Sequence, residues 1–400
     1  MRFNIAGLTL TPLLCQRPAR KRAAVTDPAH ALSLQTIGNN ETRLWGLTVH
    51  ERNRRLAEKN DLAGKAGATA ILANAAFAFD PAWLAHLKEN PALMLTVGGI
   101  PALAHTIGPN QHAAVAAAME SGTAIEAVEG LTIVPFESGP TVQNKALRKR
   151  ETPFVTKLEP GSVKAIERAS YFGAYKGVTD ILTKYLWPEW ALVLTRIAAK
   201  IGMTPNMVTA IGAVLCIVAT FAFAYGHYWV GLAMGLVFMV LDTVDGKLAR
   251  CTITSSWWGN IFDHGVDLVH PPFWWWFWAT GLAAWGLALE PATFWWVQGV
   301  IQGGYVLQRL IEGAFIARFD GMHIHVWRRF DSQFRLITAR RNPNMVILFV
   351  SLLFGRPDLG IIGVAWWTGL SLLVHIVQLV QAEMARARGK AITSWLAEET

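Results

Sequence analysis

Apolar and polar positions divide the 400 residues into two regimes. Up to about residue 135, short apolar runs alternate with amphipathic stretches. The run 32–37 predicts a strand, 49–62 a charged helix, and 69–79 a buried strand. Asp80 with Pro81 supplies an N-cap and a first helical position, 93–97 predicts a further strand, 110–120 a helix and 130–135 another strand. Strands alternating with helices predict a soluble α/β domain over 32–150 with a mostly parallel sheet. Further along, the apolar runs lengthen to 207–225, 228–248, 261–285, 294–316 and 359–381, each long enough to cross a bilayer. A sixth, 343–354, is short and leans on its flanks. The expected fold class is therefore a soluble α/β domain followed by a polytopic α-helical membrane domain with six transmembrane helices over 181–385.

Three stretches lie outside these units. Residues 136–180 are rich in Gly, Pro and charge, and their later part, 151–180, reads as the linker between domains. The basic run 145–150 suits a domain surface or an anionic lipid face. In 1–31 an apolar run, 5–15, precedes Arg17, Arg20, Lys21 and Arg22, the reverse of a secretory signal, so the segment reads as a cytosolic beginning or a peripheral membrane contact. Residues 386–400 read as a tail. Just before the first span, 181–201 mixes Leu, Ile, Trp187 and Trp190 with Lys184, Arg196 and Lys200, the composition of a helix lying at the interface. Thr204, Pro205 and Asn206 then open the first span as cap, first position and first turn.

With six spans, Lys200, Lys247, Arg250, the loop 318–341 and Arg386, Arg388 and Lys390 all fall on one side. The other side receives only 226–227, 286–293 and Arg356. The positive-inside rule then places both termini and the basic loops in the cytosol, and a five-span count breaks the agreement. Composition supports a membrane protein, with 52% hydrophobic residues and 18 Trp. The Trp clusters at 257–258, 274–276, 295–296 and 366–367 read as interfacial belts and lipid-facing bulk. The net charge of +8 suits anionic lipid and phosphate-bearing substrates, and no nucleic-acid-binding pattern accompanies it. Cys15, Cys216 and Cys251 are too far apart for a CxxC metal site or a disulfide framework.

The candidate chemistry lies at 242–267, where Asp242, Asp245, Asp263 and Asp267 sit within or beside apolar segments. Each carboxylate near a bilayer centre costs about 2.5 to 3.5 kcal/mol, so roughly 10 kcal/mol has to be offset. On a helix, Asp242, Asp245, Gly246 and Ala249 share one face, and Asp263 and Asp267 share a face of the next. Two antiparallel helices joined by 251–258 would aim all four acids into one gap. Oxygen-binding divalent cations, Mg²⁺ or Mn²⁺, are its natural occupants.

The pattern Asp242-x2-Asp245-Gly246-x2-Ala249-Arg250-x8-Gly259-x3-Asp263-x3-Asp267 resembles the signature of the CDP-alcohol phosphotransferase family at every fixed position. The resemblance implies attack of an acceptor hydroxyl on the β-phosphorus of a CDP-alcohol, with release of CMP. It implies two cations, with Asp242, Asp245, Asp263 and Asp267 at the metals and Asp267 as general base. It further implies a nucleotide wall at Gly246 and Ala249, phosphate neutralisation by Arg250, tight packing at Gly259, substrate or metal contact by Asn206, and a juxtamembrane helix at 181–201. His264 is the poorer alternative base. Arg335, Arg340 and Arg341 become phosphate ligands for the acceptor or donor, while His323 and His325 read as a polar loop. The expected partners are a CDP-alcohol donor, an alcohol or alcohol-phosphate acceptor, membrane lipid and a second copy in a homodimer, with no nucleic acid. The expected location is a bacterial inner membrane, with the site cytosolic. Two readings compete: an ion pathway or transporter lined by the acids, and a catalytically silent scaffold.

The α/β domain is similar, through 38–44 and 71–81, to nucleotidyltransferases of the nucleotide-sugar type, which are fused to some inositol-lipid enzymes of this family. A phosphate-cradling loop needs several glycines, and only Gly38 is present. The family's metal-binding Asp falls at Ala75 or Ala76, which bind no metal. The domain is expected to be a folded relic without nucleotidyl transfer.

Overall fold

The computed structural model describes residues 32–139, 142–144, 149–151, 153–175 and 177–396. The readings of 1–31 and of the side chains in 145–150 lie outside the described residues, as do the last four positions of the tail.

The amino-terminal region is α/β. Strands β1 (Ser33–Ile37), β2 (Thr69–Asn74), β3 (Phe77–Phe79), β4 (Leu93–Val97), β5 (Ile100–Ile107) and β6 (Thr132–Pro135) alternate with α1 (Val49–Lys59), α2 (Ala82–Glu89) and α3 (Pro109–Ser121). The five-stranded sheet runs β1-β2-β5-β4-β6. It is mixed, not mostly parallel: β1 with β2 and β4 with β6 are parallel, whereas β5 is antiparallel to both β2 and β4. The reversal comes from Gly98 and Gly99, whose φ of 56° and 78° form the two-residue hairpin turn that only residues tolerant of positive φ enter cheaply. The single run expected at 69–79 also divides. Asn74 Oδ1 accepts the Ala76 amide at 2.9 Å, turning the chain so that β3 leaves this sheet. Asp80 Oδ1 accepts the Ala82 amide at 2.8 Å, the capping contact expected at the head of α2.

The stretch read as a linker carries structure of its own. After two short strands, β7 (Val142–Asn144) and β8 (Lys149–Glu151), β9 (Val155–Lys157) pairs with β3, and α4 (Val163–Gly173) follows. α4 buries Ile166 and Tyr171 on one side, an amphipathic pattern masked by its charged residues.

The rest is helical: α5 (Pro188–Lys200), α6 (Pro205–Ala224), α7 (Tyr228–Cys251), α8 (Trp257–Gly281), α9 (Pro291–Arg318), the short α10 (Arg329–Phe334), α11 (Arg341–Leu353) and α12 (Pro357–Ala387). α5 covers the later part of the interfacial helix expected over 181–201; it buries Ala191, Leu192 and Thr195 and exposes Trp190, Val193 and Ile197. Thr204 caps α6 through the Met207 amide, with Pro205 in the first turn. Among the described residues, α6, α7 and α12 are long and apolar enough to cross a membrane. α8 and α9 have the length, at 25 and 28 residues, but carry Pro, His, Gln and Arg; α11 has only 13.

Part of the tryptophan reading is corrected. Trp257, Trp258, Trp295 and Trp366 point outward, but Trp274, Trp275 and Trp278 are buried between helices. Trp274 Nε1 donates to the Cys216 carbonyl at 3.3 Å and Trp278 Nε1 to that of Pro357 at 3.1 Å, satisfying the polar tip of each ring. Pro271 and Pro272 sit inside α8, where a proline frees the carbonyl four residues back. The Leu268 carbonyl accepts the Tyr305 hydroxyl of α9 at 2.8 Å instead.

The two regions are packed together. Leu44, Trp45, Val49 and Leu158 share one apolar cluster with Leu192, Val208, Val244 and Leu248. The loop joining α7 to α8 reaches the α/β core: Ile253, at φ 57°, packs in the cluster of Leu56, Leu62 and Phe79, and Arg55 Nη1 donates to the Thr252 carbonyl at 2.9 Å.

Candidate active site

Asp242 of α7 and Asp263 and Asp267 of α8 line a shared cavity of about 450 Å³, and Asp245 does not. One carboxylate oxygen from each of Asp242, Asp263 and Asp267 lies within 4.8 Å of the others. Asp245, 3% exposed, stands one turn from Asp242 and outside that triad. Its Oδ2 accepts the Thr209 hydroxyl of α6, and its Oδ1 is buried with no hydrogen-bond partner among the described residues. Arg341, first residue of α11, bridges the pair across the gap, with Nη2 donating to Asp242 Oδ2 at 2.8 Å and Nη1 to Asp267 Oδ1 at 2.6 Å. Asp267 is the most open of the triad, its side chain 41% exposed towards the cavity.

This donor set fits a divalent cation. Acidic oxygens crowded within 4.8 Å repel one another, and Arg341 pairs with two of the three, Asp242 and Asp267. The buried Asp245 Oδ1 adds an acceptor with no hydrogen-bond partner among the described residues, which is costly unless a further cation serves it.

The other expected residues divide between cavity and wall. Gly246 and Arg250 line the cavity, and a Cβ at Gly246 would come within 3.2 Å of Arg250 Nη2, so the missing side chain is what lets Arg250 fold back along α7. Gly259 admits a neighbour in the same way. Its Cβ would fall 2.8 Å from Asn206 Oδ1, so Asn206 is seated against the first turn of α8. Asn206, Ala249 and Gly259 do not line the cavity. His264 does, with Nδ1 on the Asn260 carbonyl at 2.9 Å and 3.7 Å from Asp263.

Opposite the acids the lining is basic. Arg335 and Arg340 lie there as expected, joined by Arg309 of α9, which its surrounding apolar run conceals in the sequence. Arg340 pairs with Glu312, and its Nη2 is 3.2 Å from His325 Nε2. Burial, with repulsion from Arg340, pushes Arg335 down to about 9, and its Nη1 has no hydrogen-bond partner among the described residues. His323 and His325 are more than a polar loop: both line the cavity, and His325 is 2% exposed. Burial holds the His325 imidazole well below its usual range. Glu312, His325 and His375 have ligand atoms within 4.8 Å of one another. With Arg309, Arg335 and Arg340 around one carboxylate the local charge is positive, so this end suits an anion better than a metal.

The family model of CDP-alcohol phosphatidyltransferase matches residues 202–339, which contain every position of the acidic pattern. Residues 202–339 are a CDP-alcohol phosphatidyltransferase domain. This region is similar to cholinephosphotransferase 1 of Gallus gallus, 32% identical over 128 residues, covering 29% of this chain and 36% of the relative. It is also similar to choline/ethanolaminephosphotransferase 1 of Arabidopsis thaliana, 33% identical over 117 residues, covering 26% and 29%. Cholinephosphotransferase 1 of Danio rerio is 37% identical over 127 residues, covering 29% and 32%. The chain thus spans about a third of the length of these curated relatives. The matched segment of the family model excludes the α/β region.

Proposed function

We propose that this chain is an integral membrane CDP-alcohol phosphotransferase that transfers a substituted phosphate from a CDP-alcohol to an acceptor alcohol and releases CMP, in phospholipid synthesis. The observation that carries the reading is the convergence of Asp242, Asp263 and Asp267, with the unsatisfied Asp245 beside them, inside the segment that matches the family. Asp242, Asp245, Asp263 and Asp267 would hold Mg²⁺ or Mn²⁺, two ions in all. When bound, these ions supply charge neutralisation at the diphosphate and at the entering and departing oxygens.

The chain's own residues do the rest. Asp267, the most open acid, takes the proton of the acceptor hydroxyl as its oxygen bonds to the β-phosphorus. The bond from that phosphorus to the bridging oxygen breaks, and CMP leaves with the electron pair. Gly246 and Ala249 keep the α7 wall low for the nucleotide, and Gly259 lets Asn206 close that side. Arg250 offsets phosphate charge; Arg335 and Arg340 bind phosphate at the basic end, and Arg341 binds phosphate from beside the acids. A cavity of about 450 Å³ suits a ligand of this size. The names of the relatives favour choline or ethanolamine phosphate as the transferred group.

In this reading α6, α7, α8, α9, α11 and α12 are six spans, and α5 lies along the cytosolic surface of the inner membrane, on the side of the site. The α/β region is a relic without nucleotidyl transfer. Its Asn40 is committed to the fold, donating to the Ala75 and Leu158 carbonyls at 3.1 and 2.9 Å. A homodimer is the expected assembly, with no nucleic-acid partner. The test is to supply membranes holding the protein with a panel of CDP-alcohols and acceptor alcohols, with Mg²⁺ or a chelator. CMP release that requires Mg²⁺ supports the reading; cation flux without CMP release would replace it with the transport reading, and neither would leave the scaffold.

A further inference from the structure

Asp180 lies outside the acidic pattern, yet it is 6% exposed and lines the same cavity. Its Oδ1 accepts the Thr183 amide at 3.0 Å and its Oδ2 the Thr183 hydroxyl at 2.8 Å, which caps the turn leading into α5. A cap needs nothing more, but Oδ1 also accepts Asn342 Nδ2 at 3.0 Å, and that amide donates as well to Thr183 Oγ1 at 3.2 Å. Asn342 Oδ1 in turn accepts Arg341 Nε at 3.1 Å. The amide can face only one way, because the carboxylate on one side accepts only and the guanidinium on the other donates only. The Phe238 ring lies 4.8 Å from the guanidinium carbon and closes its face. Every contact therefore fixes the same plane, the one in which both Nη groups meet Asp242 and Asp267.

We propose that Asp180, Thr183 and Asn342 are positioning residues that form a buried relay, locking Arg341 across Asp242 and Asp267 as an internal counter-charge that an incoming divalent cation has to displace. This rests on the metal reading of the acids given above. A guanidinium and a cation compete for the same oxygens, so the rigidity that the relay gives Arg341 works against cation binding in the absence of nucleotide. Once displaced, Arg341 is held by Asn342 at the cavity edge, where its charge serves the phosphates. Loosening the relay therefore has opposite effects on two measurements: cations bind more tightly and turnover slows. A structural defect would weaken both.

The experiment uses the full chain in lipid nanodiscs, with Mn²⁺ binding followed by calorimetry without nucleotide. Thr183→Val removes one hydroxyl from the relay at nearly constant shape, and Asn342→Leu removes the link altogether. Asn342→Leu is expected to bind Mn²⁺ about threefold to tenfold more tightly, the worth of one hydrogen bond, and Thr183→Val to shift the same way by less. Both should lower kcat for CMP release with little change in donor KM. Unchanged or weaker Mn²⁺ binding in a Thr183→Val protein of normal thermal stability overturns the relay while leaving the metal site standing. Absence of Mn²⁺ binding by the unaltered protein overturns the metal reading, and the relay with it.

Discussion

At the scale of single residues, the four acids have different environments, and their variants should differ accordingly. Asp267→Asn is expected to lower CMP release by about 10²- to 10⁴-fold, the usual contribution of a general base, while CDP-alcohol still binds. Unchanged turnover would remove Asp267 from that role. Asp245→Ala should abolish Mg²⁺-dependent nucleotide binding, which equilibrium dialysis would report. The acids were legible in the sequence because helical spacing alone puts them on shared faces. Arg341 was legible only as a phosphate ligand, since its partners stand 74 and 99 positions away and no local pattern encodes that pairing. Arg309 and Glu312 were hidden inside an apolar run. Removing the Glu312 charge leaves the partly buried Arg309 and Arg340 without their carboxylate, so Glu312→Gln is expected to lower stability in denaturation measurements. Asp180 gives a pH dependence. Burial raises its carboxyl, but the Arg335 charge and the Thr183 and Asn342 bonds outweigh burial and leave it below the usual range. A depressed carboxyl stabilises the fold fully above its unfolded value of about 3.9, and this is lost as pH falls through the folded value. The stability gap between unaltered protein and Asp180→Ala should therefore be constant near neutrality and shrink below about pH 4.

At the scale of elements, caps and hydropathy located the helices well, and turns decided what was missed. Thr204 and Pro205 mark the head of α6 because a cap is a local event that a few residues determine. The antiparallel β5 is harder to read from the sequence, because a two-residue hairpin shows only as the adjacent glycines Gly98 and Gly99, whose positive φ is a property of the folded chain. α4 escaped because its apolar residues are few and interleaved with charge. Close helix contact is similarly invisible before the partner is known: a Cβ at Gly281 would fall 2.0 Å from the Phe223 carbonyl oxygen. Backbone cannot yield as a flexible side chain does, so Gly281→Ala is expected to force α8 away from α6 and lower the melting temperature. A melting temperature equal to that of the unaltered protein would show that the contact relaxes freely.

At the scale of the whole molecule, the α/β region grips the loop between the two acid-bearing helices. Ile253 keeps a positive φ that a β-branched residue adopts only under constraint, and its burial among Leu56, Leu62 and Phe79 supplies that constraint. Ile253→Ser, outside the cavity, should reduce stability by about 2 kcal/mol or more and slow CMP release through the spacing of α7 and α8. Retained activity and stability would make the docking incidental. The two-region plan was legible from the change in run length along the chain. The docking was not, because it joins surfaces from both regions, and neither was the burial of Trp274, Trp275 and Trp278, which hydropathy cannot distinguish from lipid-facing rings.

If the acids of α7 and α8 bind divalent cations for phosphate transfer, Mn²⁺ should occupy them. The most direct measurement is the anomalous scattering of Mn²⁺ in crystals of the full chain. Density is expected bonded to oxygens of Asp242, Asp245 and Asp263, with Asp267 beside it, at the roughly 2.0 to 2.2 Å of small hard divalent cations. Saturating Mn²⁺ with no peak among these carboxylates would contradict it.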